Sequence, residues 1–150
     1  MRIIKMDNKV EFATREQLDH YFDNELLNRD IVGRFNIPKS KIALIGPKAL
    51  FRGEMLLFTW STELVRIGRS GSEQILSSDG YEKTGTGILR KYPSYFVIDM
   101  DALKKPKRRM FQTDLDEQLS KLVGKKIHTG VQGWNHIDEL EAVEDWFEQL

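Results

Sequence analysis

Cysteine is absent from the 150 residues, and several kinds of chemistry go with it. No disulfide framework staples the chain, no thiolate holds zinc, and no cysteine serves as a nucleophile. The absence is compatible with a reducing compartment. Long apolar runs are missing too, and none approaches the roughly 20 residues that span a bilayer. The opening Met1-Arg2-Ile3-Ile4-Lys5-Met6-Asp7 carries charges where a secretory signal needs an unbroken apolar core. Together these absences predict a soluble, cytoplasmic protein with no membrane association. Net charge is missing as well: 23 basic and 23 acidic side chains cancel. That argues against a protein that coats DNA by charge alone.

Catalytic signatures are also scarce. The histidines, His20, His128 and His136, form no His-Glu-x-x-His and no pair at helical metal spacing. A metal on His128 and His136 would need a carboxylate brought from elsewhere. Gly85-Thr86-Gly87 lacks the third glycine of a dinucleotide site and the Gly-Lys-Ser/Thr of a P-loop. Ser61, Ser70, Ser72 and Ser94 lack the elbow motif of a nucleophile. Asp99-Met100-Asp101 ends a predicted strand, and paired acids there can hold Mg²⁺ for phosphoryl chemistry. Asp101-Ala102-Leu103-Lys104 imitates part of a nuclease motif. A nuclease needs further acids and a positioned lysine, however, and the plainer reading is that Asp101 starts a turn or short helix into the basic loop. No catalytic residue, metal ligand or cofactor site is assigned from these patterns.

What is present fits one folded domain. The chain is 40% hydrophobic and 31% charged, ordinary values for a globular protein. Thr14-Arg15-Glu16-Gln17 has the capping-box form, and Leu18, Phe22 and Leu26 recur at spacing four, which predicts a helix to about Leu27. Lys41–Ile45, Met55–Trp60 and Tyr95–Ile98 read as strands. Leu64–Arg69 alternates like a half-exposed strand. Ser77 to Gly87 has no aliphatic residue and reads as a long loop. Thr113 is the expected N-cap of a second helix that stops at Gly124, and a last amphipathic helix starts near Asp138. Short strands flanked by helices, without regular βα alternation, predict an α+β fold: a small, strongly bent sheet or barrel with flanking helices.

The charges are unevenly placed. Lys104-Lys105-Pro106-Lys107-Arg108-Arg109 is almost wholly basic, whereas Asp138 to Glu148 carries six acids and no Lys or Arg. Arg66 and Arg69 lie on or just after one predicted strand, with Trp60 on the strand before and Tyr95 on a later one. Basic side chains neutralise phosphates and flat aromatic rings stack on bases. The expectation is therefore a non-catalytic nucleic-acid-binding module. Its phosphate contacts are Arg66, Arg69, Lys104, Lys105, Lys107, Arg108 and Arg109, and its stacking residues are Trp60 and Tyr95. Two alternatives stand beside it. One is a protein-interaction module that docks a partner on the acidic C-terminal helix through Trp146 and Phe147. The other is a metal-dependent nuclease or hydrolase using Asp99 and Asp101.

The stretch Gly53-Glu54-Met55-Leu56-Leu57-Phe58-Thr59-Trp60-Ser61-Thr62, with Val65-Arg66-Ile67-Gly68 after it, resembles a segment of PUA-like domains, including the EVE and YTH branches. Tyr95–Asp99 and Thr113–Val123 follow in a compatible order. The resemblance implies a small β-barrel with flanking helices, and recognition of RNA or of a modified base flipped into an aromatic pocket. By position, Trp60 and Ser61 would line that pocket. Ser61 follows Trp60 directly here, in place of the family's Tyr-x-Ser form.

Overall fold

The computed structural model of the chain describes residues 1–6, 12–26, 34–37, 50–76, 81–83, 89–91, 94–130, 134–137 and 141–150. Its elements run β1 (Arg2–Lys5), α1 (Arg15–His20), β2 (Arg34–Ile37), β3 (Met55–Trp60), β4 (Glu63–Arg69), β5 (Ile75–Leu76), β6 (Tyr81–Lys83), β7 (Leu89–Lys91), β8 (Ser94–Val97), α2 (Gln112–Val123), β9 (Trp134–His136) and α3 (Glu141–Glu148). The expected strand at Lys41–Ile45 lies outside the described residues. The fold is α+β, as the sequence predicts.

The main sheet has the order β4-β3-β1-β9. β1 and β3 are parallel, and the other two pairings are antiparallel. Successive side chains on a strand point to opposite faces, and here both faces are apolar. Ile4, Leu56 and Phe58 enter one core with Leu18, Phe22 and Leu26. Ile3, Met55 and Leu57 enter another with Leu115, Leu119, Val143 and Phe147. The near-continuous apolar run of β3 is thus that of a strand covered on both sides.

Coverage on both sides corrects the expectation for Leu64–Arg69. The strand is not half-exposed, and even Arg66 is only 2% accessible. A register slip helps. Phe58 pairs with Arg66 but Thr59 pairs with Leu64, which leaves Val65 as the extra residue of a β-bulge. Val65 then packs in the first core while Leu64 and Ile67 pack in the second.

A three-stranded ladder, β2-β8-β5, meets the main sheet at a corner. There the Gly71 N–H donates to the Val97 carbonyl at 2.7 Å and the Asp99 N–H to the Arg69 carbonyl at 2.9 Å. Gly71 suits this approach, since a Cβ on it would lie 3.2 Å from the Asp99 nitrogen and 3.4 Å from the Ile98 carbonyl carbon. β6 and β7 form a separate two-stranded ribbon. Part of the expected Ser77–Gly87 loop is therefore strand, at Tyr81–Lys83; the remainder of that stretch lies outside the described residues.

The helices cover the sheet for reasons visible locally. The Gln17 N–H donates to Thr14 Oγ1 at 3.2 Å and the Thr14 N–H to Gln17 Oε1 at 3.1 Å, which closes the capping box. After His20 the helix widens into a π turn (Tyr21–Glu25), with the Leu26 N–H reaching back five residues to the Tyr21 carbonyl. The wider turn offsets the drift that a spacing of four builds up in an α-helix, so Phe22 and Leu26 stay on the buried face with Leu18. α2 starts earlier than expected: its N-cap is Phe111, not Thr113, and the Asp114 carboxylate accepts the Phe111 N–H at 3.0 Å. Gly124, with φ +72°, ends it. α3 lays Val143 and Phe147 against the second core.

Candidate nucleic-acid interface

The residues expected to converge do so only in part. Arg66 and Arg69 lie on opposite faces of the main sheet. On the α1 side, the Arg66 guanidinium stands 5.2 Å above the Phe22 ring centroid. It donates to Asp19 at 2.9 Å, to Asp23 at 3.5 Å and to the Val65 carbonyl at 2.8 Å. On the α3 side, the Arg69 guanidinium stands 5.1 Å above the Phe147 ring and donates to Glu144, Glu148 and the Gly53 carbonyl. Each arginine thus ties a helix to the sheet, and its charge is met within the chain. Burial of Asp19 works against ionisation, but hydrogen bonds and charge from Arg66 and Arg15 outweigh it and hold the carboxyl below its usual range.

The aromatic candidates are also engaged. Trp60 packs against the first core and its indole N–H donates to the Phe12 carbonyl at 2.7 Å. Ser61 and Thr62 form the β3–β4 turn with φ of 47° and 66°, the left-handed pair of a type I′ hairpin. Tyr95 is half-buried on β8, in register with Asn36 and Ile75.

The basic run is placed differently. Lys104 and Phe111 make isolated bridges to Ile67 and Glu63 on the outer edge of β4. The loop takes seven residue steps where the strand takes four, so the residues between must bulge outward. The ends are firmly held. Lys104 and Ile67 exchange both backbone bonds at 2.9 Å, and the Leu64 N–H donates to the Met110 carbonyl at 2.8 Å. In between, the Lys107 N–H donates to the Leu150 carbonyl at 3.4 Å. Lys104, Lys105, Lys107 and Arg108 are exposed. Among the described residues, no acidic side chain comes within salt-bridge distance of these four. Arg109 differs: it donates to Glu63 at 3.1 Å and stacks at 5.0 Å over the exposed Phe111 ring.

Beside this loop lies an open cleft of about 480 Å³. Its lining includes Lys107, Arg108 and Met110 of the loop together with Gln118, Trp146 and Gln149. The Trp146 indole N–H donates to Gln118 Oε1 at 2.7 Å and so bridges α2 and α3. Neither Gln118 nor Met110 stands out in the sequence. Polar and apolar residues on two helices and a loop share no spacing, and only the folded chain brings them together.

The alternative site residues have local roles. Asp99 Oδ1 accepts the Asp101 N–H at 3.1 Å and the Asp99 carbonyl accepts the Ala102 N–H at 3.1 Å, so the pair sits in a turn after β8, not on a strand. Among the described residues, no three His, Asp or Glu side chains form a group that could hold a metal ion. Phe147, the expected anchor for a partner, is buried in the second core with 5% exposure. Among the described residues, no helix is long and apolar enough to cross a membrane. Comparison of the chain with family models, curated proteins and solved structures finds no match.

Proposed function

We propose that the chain is a non-catalytic nucleic-acid-binding module whose contact surface is the basic loop at the β4 edge. The observation that carries the reading is the loop's construction. Four exposed cations with no acidic partner among the described residues stand on a segment pinned to β4 at both ends. Like charges held this close repel one another, and an anionic ligand relieves that repulsion. Phosphates spaced along a strand supply such a ligand. The contact set is narrower than the sequence expectation. It keeps Lys104, Lys105, Lys107 and Arg108, with Arg109 at the margin through its Glu63 pair. It leaves out Arg66 and Arg69, which tie helices to the sheet. Trp60 and Ser61 are likewise left out of any base pocket, because the Trp60 indole serves the core and Ser61 serves the turn.

The test is a low-salt titration of labelled single- and double-stranded RNA and DNA, followed by polarisation. The chain is expected to bind, and the Lys104→Ala/Lys105→Ala/Lys107→Ala/Arg108→Ala variant to bind much more weakly at an unchanged melting temperature. Absence of binding to all four probes would overturn the reading.

A further inference from the structure

We propose that the cleft between the basic loop and α3 receives a nucleobase, so that the module takes single-stranded nucleic acid in preference to duplex. The inference rests on the basic loop being the phosphate-contacting surface. The cleft's volume of about 480 Å³ falls within the roughly 300–1,000 Å³ of small-ligand pockets.

Its chemistry is divided as a nucleotide is. Lys107 and Arg108 stand at the cleft with their charges unmet by any acid among the described residues, and they suit a phosphate. Met110 and the half-buried Trp146 offer apolar and aromatic surface to a flat ring. Gln149 brings an amide able to donate and accept along a base edge, and Gln118 brings an NH₂ able to donate. Glu148 brings an acid to the lining, but its carboxylate is held by Arg69.

Trp146 is positioned before any ligand arrives. Its indole N–H can only donate, so the Gln118 atom it meets at 2.7 Å is the carbonyl oxygen. That bond fixes the ring and leaves the Gln118 NH₂ available to a carbonyl of the ligand. The site lies on the α3 side of the sheet, away from Trp60, which packs in the core on the α1 side. In a duplex each base is stacked and paired, so it can enter such a cleft only after leaving the stack. A single strand presents its bases freely while its phosphates follow Lys104 to Arg108.

The experiment compares a ten-nucleotide single-stranded oligonucleotide, an abasic strand of the same length and the matched duplex, on the full chain and on Gln149→Ala and Trp146→Phe variants. The base-bearing strand is expected to bind roughly 5- to 150-fold more tightly than the abasic one, the worth of one stacked base. Both substitutions should shrink that ratio and leave abasic binding and its salt dependence unchanged. Gln149 is exposed, so its replacement reads the cleft without loss of the fold. Equal affinity for base-bearing and abasic strands, or a preference for the duplex, would overturn the pocket while the basic loop still binds phosphate. Failure of all three probes at low salt would instead remove the phosphate-binding reading, and the pocket with it.

Discussion

Glu54 is fully buried, and three cationic or potentially cationic groups surround it: the Met1 ammonium at 3.6 Å, Arg2 Nε at 3.2 Å and His136 Nδ1 at 3.5 Å. Arg2 is itself only 2% exposed, so removing the carboxylate strands its charge away from water. Breaking a buried pair in this way costs about 3–5 kcal/mol. Glu54→Ala should therefore lower stability by that order in a denaturant melt, and an unchanged midpoint would show that the cluster does not hold β1 to the start of β3. Asp19 makes a pH prediction of definite sign. Its folded pKa lies below the ordinary value, so its contribution is complete above the unfolded pKa of about 4 and is lost as pH falls through the lower folded pKa. Melting temperatures of the parent and of Asp19→Asn should differ by a constant amount near neutrality and converge in acid. A gap that widens in acid would contradict the assignment of Arg66 and Arg15 as its partners.

The β3–β4 hairpin carries a local conflict. Ser61 and Thr62 both adopt positive φ, which glycine and asparagine take up readily and a β-branched threonine only under strain. The turn is nevertheless built in, since the Thr62 carbonyl accepts the Gln112 N–H at 2.8 Å at the start of α2. Replacing the pair with Asn-Gly should relieve strain of order 1–3 kcal/mol, offset in part by the added freedom of glycine in the unfolded chain. A rise in Tm with unchanged spectra is the expected result, and a fall would mean that the native side chains stabilise the turn in another way. The corner at Gly71 predicts the opposite sign. Gly71→Ala presses a methyl against the Asp99 and Ile98 backbone, and crowding of this kind costs about 1–3 kcal/mol. These elements differ in how much of them the sequence reveals. The Thr14 capping box, the β3 run and the Gly124 stop are written in neighbouring residues. The N-cap of α2 is less plain: residue type favours Thr113, whereas the cap falls on Phe111, which also bridges to Glu63 far back along the chain.

Taken as a whole, the chain places its charges in two ways. Where a guanidinium crosses an aromatic ring inside the fold, as Arg66 does over Phe22 and Arg69 over Phe147, acids on the covering helix meet it. Where the chain bulges from the β4 edge, the cations face solvent. Sequence alone shows both groups as basic residues near strands and cannot separate them, since burial depends on which helix lies above each strand face. The same limit explains Trp146, whose tie to Gln118 requires α2 and α3 to lie side by side. The acidic C-terminal helix is legible as amphipathic, yet only its packing shows that Glu144 and Glu148 serve Arg69. This division of charges is the central claim, and the salt dependence of single-strand binding tests it most directly. Removing one phosphate-neutralising cation flattens the slope of log K against log salt by roughly 0.7. Replacing Lys104, Lys105, Lys107 and Arg108 with alanine should therefore flatten the slope by roughly 3, whereas Arg66→Ala and Arg69→Ala should lower Tm and leave the slope unchanged. A slope unaltered by the loop replacement, or flattened by loss of the sheet arginines, would contradict the account.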